Sequence, residues 1–371
     1  MLDILEKLVS FDSTSSKPNQ PLIAWVAGFL ESHGIPSRII PGAEGGKASL
    51  VASMGPSGKP GVVLSGHTDV VPVAGQAWSC DPFHLTRKDG KAYGRGTCDM
   101  KGGIACALSV MASAAKAPLD APIHLVLTHD EETGMEGIRE LVPMLPGLLG
   151  APMLAVVLEP TGLACCNAHK GFQAHEAVFH GLPAHSSQPQ KGKSAIHAAA
   201  RFVVALEQYA AKLAHAPLEG SQFDPPYTSF NVGKIAGGEA INIVAGECRV
   251  VFEYRIHPGD DEQAIAAAID AMAKNCGLPA EVVRGAGGKP LLPSISGEAA
   301  KLAAMMSGNA PFVACPYATE APYFQQSGIP TLVWGPGDLQ EAHKPDEFVR
   351  LSDLEACKAG LMRLAGFLQR R

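Results

Sequence analysis

Short apolar runs that stop abruptly in a polar cluster recur along this chain. Gly61-Val-Val-Leu-Ser-Gly runs into His67-Thr-Asp69, Pro122-Ile-His-Leu-Val-Leu-Thr into Asp130-Glu131-Glu132, and Met153-Leu-Ala-Val-Val-Leu into Glu159-Pro160. Apolar runs this short read as buried strands, and Gly66 marks where the backbone leaves the first of them. Between the runs lie stretches with helical periodicity: residues 2–9, about 20–33 with a stop at His33-Gly34, about 102–116, and Glu136–Leu145. Ala48–Met54 reads as extended, and Lys88-Asp89-Gly90 as a hairpin turn. Strand alternating with helix predicts a mostly parallel α/β sheet.

The pattern changes after Asn167-Ala-His-Lys-Gly171. Gln173–Phe179, Thr228–Ile235 and Cys248–Ile256 alternate as half-buried strands do, with an Ala-rich helix over about Ser194–Ala211. A helix over about 261–274 and a short strand Ala280–Arg284 complete a β-α-β-β-α-β order, which fits a two-layer unit on an antiparallel sheet. The α/β pattern then returns, with helices at about 297–306 and 320–327, the strand Thr331–Trp334, and a closing helix from 352. The expectation is an α/β catalytic domain, residues 1–171 and 285–371, interrupted by a smaller α+β unit at 172–284.

Composition narrows the function. A chain of 371 residues favours two domains, and 46% hydrophobic with 18% charged residues is ordinary for a globular protein. A net charge of −6 argues against a nucleic-acid or anionic-membrane surface. Met1-Leu-Asp-Ile-Leu-Glu-Lys-Leu-Val is an amphipathic helix with early acids, unlike a secretory leader. Nine cysteines without regular spacing read as free thiols in a reducing compartment, hence a cytoplasmic protein.

The candidate chemistry lies at the strand exits, where open α/β sheets collect their ligands. These loops offer His67 and Asp69, Glu131 and Glu132, and Glu159; Asp99 in Gly-Arg-Gly-Thr-Cys-Asp99-Met-Lys-Gly-Gly and His343 in Glu-Ala-His343-Lys-Pro join them. Singly, each has a plain alternative: Asp99 as a helix cap, Glu131 and Glu132 as first-turn acids, Glu159 and His343 as surface groups. Together, two His and at least three carboxylates suit zinc, cobalt or manganese. The set is large enough for two ions sharing one carboxylate. One acid of the Glu131-Glu132 pair is then left over as a general base. Gly94-Arg-Gly96-Thr-Cys-Asp99 lacks the third glycine of a dinucleotide fingerprint, and no G-x-S-x-G elbow occurs.

This succession of motifs, across nearly the whole chain, resembles the di-zinc aminoacylase and carboxypeptidase family. The resemblance implies two zinc ions per chain, with cobalt able to substitute. It assigns His67 and Glu159 to one ion, Glu132 and His343 to the other, and Asp99 to both. It also implies that Asp69 orients His67, that Glu131 is the general acid/base, and that a cis peptide follows Asp99. The inserted domain would be a dimerisation or lid domain. In it Gly181-Leu-Pro-Ala-His185-Ser-Ser-Gln-Pro resembles the motif whose His reaches a partner subunit's site. Asn242 and Arg255 match substrate-contacting positions, and an Arg fork suits a carboxylate.

Within the family the chain resembles the acetylornithine deacetylase branch, through Ala168-His-Lys-Gly171, Tyr317-Ala-Thr-Glu320-Ala-Pro322, and Trp334-Gly-Pro-Gly-Asp338 before Glu-Ala-His343-Lys-Pro-Asp-Glu. That implies removal of acetyl from N2-acetylornithine in arginine synthesis, by a cytoplasmic homodimer. Glu320 suits a cationic amine better than a succinyl carboxylate; its plain alternative is a helix-start acid. A desuccinylase, another N-acyl-amino-acid deacylase and a non-catalytic metal-binding relative are the competing readings.

Overall fold

The computed structural model describes residues 1–369. They divide into two compact units, one comprising Met1–Ala168, Leu291–Cys315 and from Thr319 onward, the other His169–Pro290 with Pro316–Ala318.

The first unit is built on an eight-stranded sheet. Its order is Ser37–Pro41, Ala48–Met54, Ile123–Thr128, Val62–His67, Leu154–Val157, Thr331–Val333, Cys165–His169, Phe312–Cys315. The four strands from Ile123–Thr128 to Thr331–Val333 run parallel. The pairs Ser37–Pro41 with Ala48–Met54 and Ala48–Met54 with Ile123–Thr128 are antiparallel, so the sheet is mixed around a parallel centre. The central strands are buried along their whole length, which is why they read as unbroken apolar runs rather than alternating ones.

Helix Lys101–Ala114 is buried on almost all sides, between the sheet and helices Leu2–Val9 and Leu351–Leu368. It fits because Gly102 and Gly103 follow its first residue. A Cβ on Gly103 would stand 2.5 Å from the Leu158 carbonyl oxygen, and one on Gly102 would stand 2.4 Å from that of Thr97. Leu354, Leu361 and Leu364 of the closing helix complete this core. Each such burial contributes about 1.5–3 kcal/mol.

Some expectations need correction. The helix foreseen over Glu136–Leu145 is two short ones, Glu136–Leu141 and Leu145–Leu149. Pro143 sits at the break, where a residue without an N–H cannot continue the ladder. The strands Ser37–Pro41, Cys165–His169 and Phe312–Cys315 were not expected at all. A further small sheet joins Phe348–Arg350, Lys91–Tyr93 and Thr86–Lys88.

The second unit carries an antiparallel sheet in the order Ser229–Gly237, Glu247–Arg255, Phe172–His180, Ala280–Gly288. Strand Glu247–Arg255 alternates exposed and buried positions. Its inward Val250, Phe252 and Tyr254 share a core with Phe202 and Leu206 of helix Ala195–Ala214 and with Ile265 and Ile269 of helix Glu262–Lys274. Asp261 caps the latter helix, accepting from the Gln263 and Ala264 N–H groups at 2.9 and 3.2 Å.

A buried histidine gives the first unit a pH dependence. His124, in strand Ile123–Thr128, is 5% exposed, and its Nδ1 lies 2.7 Å from Ser53 Oγ. Burial lowers its pKa to about 4. The unfolded chain therefore takes up a proton near pH 6.5 that the folded chain refuses, so stability falls as pH drops from 6.5 toward 4. A His124→Gln variant should show a shallower decline of the urea midpoint over that interval than the wild type. Parallel curves would contradict this.

Candidate metal centre

Parallel strands deliver their carboxyl ends to one edge, and the register fixes what meets there. His67 is the last residue of its strand and pairs with Thr128, the last residue of the next. On the other side Ser65 pairs with Val157, so Glu159 emerges two residues past Val157, beside His67. Helix Lys101–Ala114 follows Asp99 at the same edge, and the Asp99–Met100 peptide is cis.

The side chains converge. His67 Nε2 lies 3.0 Å from Asp99 Oδ1 and 3.5 Å from Glu159 Oε1. His343 Nε2 lies 3.2 Å from Asp99 Oδ2 and 3.0 Å from Glu132 Oε1. The two oxygens of Asp99 thus face two different imidazoles, each with its own second carboxylate. Ligand atoms of His67, Glu131 and Glu159 also fall within 4.8 Å of one another, as do those of His67, Asp99 and Glu132.

Several plain alternatives do not describe these groups. Asp99 does not cap the following helix, whose N-cap is Met100 with no side-chain bond. Glu131 and Glu132 precede the next helix, which starts at Glu136. Glu159 is buried.

Asp69 ties the loops together. It is fully buried, with Oδ1 3.6 Å from His67 Nδ1, which itself lies 3.0 Å from the Asp69 carbonyl oxygen. The same carboxylate accepts from the Glu131 N–H at 3.2 Å, the Glu132 N–H at 3.3 Å and Ser15 Oγ at 2.7 Å. One side chain therefore orients an imidazole and fixes the backbone carrying both glutamates. The sequence suggested only the first role, since main-chain contacts leave no residue signature. Lys47 holds the same loop from behind, donating to Asp130 Oδ1 at 2.5 Å.

The electrostatics ask for cations. Burial, with the neighbouring acids adding to it, pushes the Glu131 and Glu159 carboxyls well above the usual range, although His67 opposes this. Burial alone would lower the His67 pKa, but Glu159, Asp69 and Asp99 drive it well above the ordinary value. Hydrogen bonds to Asp99 and Glu132 raise His343 to about 10. A field that draws protons onto imidazoles this strongly suits divalent cations, which would displace those protons. Oxygen and imidazole donors without thiolate match zinc, cobalt or manganese.

Glu320 is 1% exposed and starts helix Ala321–Gln326 without capping it. Its Oε2 accepts from Thr128 Oγ1 at 2.8 Å, its Oε1 has no hydrogen-bond partner, and burial raises its pKa to about 7.

The remaining candidates belong to the second unit. His185 is exposed, with Nδ1 2.7 Å from Ser187 Oγ, and its backbone bridges to Ile243. The Asn242 carbonyl accepts from the Ser186 N–H at 2.9 Å, so Asn242 and His185 lie on adjoining loops, next to an open groove of about 770 Å³ lined by Ser186, His197 and Glu239 among others. Arg255 ends its strand, its guanidinium 3.1 Å from Glu253 Oε2.

Comparison with known proteins places this arrangement. Residues 63–366 match the model of peptidase family M20/M25/M40. The chain is 37% identical to an acetylornithine deacetylase of Myxococcus xanthus over 97% of this chain and 95% of that one. Its fold resembles an M20 family metallo-carboxypeptidase from Sulfolobus solfataricus, with TM-score 0.78, 16% identity and coverage of 100% and 99%. It also resembles a dinuclear metal-binding peptidase of the M20 family from Bacillus subtilis, with TM-score 0.67, 14% identity and coverage of 100% and 97%. The chain belongs to peptidase family M20/M25/M40 and is a metallohydrolase.

Proposed function

We propose that the chain is a di-zinc amidohydrolase that converts N2-acetyl-L-ornithine to L-ornithine and acetate, a step of arginine biosynthesis in the cytoplasm. The observation that carries the metal pair is the shared carboxylate: Asp99 faces His67 with one oxygen and His343 with the other. His67 and Glu159 would hold one ion and Glu132 and His343 the second, with Asp99 between them. The substrate reading is supported by full-length similarity to the Myxococcus xanthus acetylornithine deacetylase. No helix among the described residues is long and apolar enough to cross a membrane.

Bound there, the ions would acidify a water molecule and polarise the amide carbonyl. Glu131 is the acid without a ligand assignment. Its backbone is fastened to Asp69, and its raised pKa suits a group that takes a proton from the attacking water and returns it to the leaving amine. Asp69 keeps His67 in one tautomer and orientation. Arg255 would bind the substrate carboxylate, Asn242 would contact the substrate, and Glu320 would suit its side-chain amine.

We further propose that the second unit forms a homodimer and lends His185 to a neighbouring copy's site, where it stabilises the developing oxyanion. Its support is that His185 is exposed and adjoins a loop whose Ile241 is fully exposed, an apolar tip suited to burial against another chain.

Turnover of N-acetylornithine, N-succinyl-diaminopimelate and simple N-acetyl amino acids on one zinc-loaded preparation tests the substrate assignment. N-acetylornithine should give the highest kcat/KM; preference for the succinyl substrate would transfer the assignment to desuccinylases. Glu131→Ala should keep two ions per chain while kcat falls by about 10²–10⁴-fold. Loss of metal in that variant would make Glu131 a ligand instead. Mixing His185→Ala with Glu131→Ala chains should restore part of the activity, and mixtures as inactive as their components would count against a shared site.

A further inference from the structure

We propose that the buried Arg95–Glu347 pair, with Gln76, is a positioning device that sets Asp99 and His343 against each other. This rests on the metal-centre reading above. Asp99 and His343 come from loops far apart in sequence, and His343 has a positive φ of 63°. Neither residue is held by the strand ladder that fixes His67.

Glu347 is fully buried and uses both oxygens. Oε1 accepts from the Cys98 and Asp99 N–H groups at 2.9 and 3.1 Å. Oε2 accepts from Arg95 Nη1 at 2.6 Å. Arg95 is 1% exposed and lies 5.0 Å over the Trp78 ring. Its Nη2 donates to Gln76 Oε1 at 2.5 Å, and Gln76 Nε2 donates to the His343 carbonyl at 2.9 Å. One continuous chain of hydrogen bonds therefore runs from the Asp99 main chain through a carboxylate, a guanidinium and an amide to the His343 main chain. The Gly94 N–H donates to the Glu347 carbonyl at 2.9 Å, locking the same two segments a second time.

A buried ion pair by itself is weak evidence for stability, because desolvation offsets much of its attraction. This pair holds the Asp99 main chain directly and the His343 main chain through Gln76, two groups whose tips lie 3.2 Å apart. Groups behind metal ligands typically change affinity by about 10–100-fold when removed.

The test is zinc binding to the whole chain, by competition with a chromogenic chelator, on Glu347→Gln and Gln76→Leu. Glu347→Gln should bind zinc about 10–100-fold more weakly, with kcat restored by excess zinc and KM little changed. Gln76→Leu, at a half-buried position, removes the bond to the His343 carbonyl and one acceptor of Arg95 but leaves the Glu347 bonds to the Asp99 main chain in place, and should weaken one ion while leaving the other near wild type. Folded variants that bind both ions as the wild type does would overturn the proposal, whatever happens to Tm. A wild-type chain that binds no pair of ions would overturn the metal-centre reading with it, whereas two ions and no N-acetylornithine turnover would leave this proposal standing.

Discussion

Buried negative charge is the constraint on which the rest of this structure depends. Asp69, Asp99, Glu132 and Glu159 are gathered with Glu131 at one sheet edge, and burial raises the Glu132 carboxyl and pushes those of Glu131 and Glu159 well above their ordinary range. Such a cluster is unfavourable unless its charge is matched. The chain supplies two kinds of match. Main-chain N–H groups and the Ser15 hydroxyl satisfy Asp69, whose pKa is lowered despite burial because His67 and these donors favour its charged form. The carboxylates facing His67 and His343 meet imidazoles, which are themselves pulled toward protonation. That residual demand for positive charge is what a pair of divalent ions would answer.

The fold places the demand where a reaction can use it. Register in the parallel centre puts His67, Thr128 and the segment leading to Glu159 at one level. The glycine start of helix Lys101–Ala114 lets Asp99 approach that level closely. Asp69 fastens the loop bearing Glu131 and Glu132, and Glu347 fastens the one bearing Asp99. Two buried carboxylates that need bind no metal thus set the spacing of those that would.

Much of this could be read from the chain because strand exits announce themselves: an apolar run ending in His67-Thr-Asp69 or Asp130-Glu131-Glu132 marks both the element and its chemistry. Family resemblance then divided roles between Glu131 and Glu132, which spacing alone left open. Other features gave no local sign. Ser37–Pro41 is mostly exposed and lacks an apolar run, so only its pairing with Ala48–Met54 makes it a strand. Pro143 was a visible break that the helical periodicity around it obscured. The bond from Arg95 to Glu347 spans 252 residues of sequence, and what Glu347 holds is backbone, so neither residue carried a pattern pointing to its partner.

On this reading Asp99 would stand between two metal ions. Anomalous diffraction at the zinc edge, from crystals grown with zinc, measures this directly. Two peaks about 3.5–4 Å apart are expected, one beside His67 and Glu159, the other beside Glu132 and His343, with Asp99 touching both. A single peak, or a pair that leaves Asp99 without contact to one ion, would contradict it.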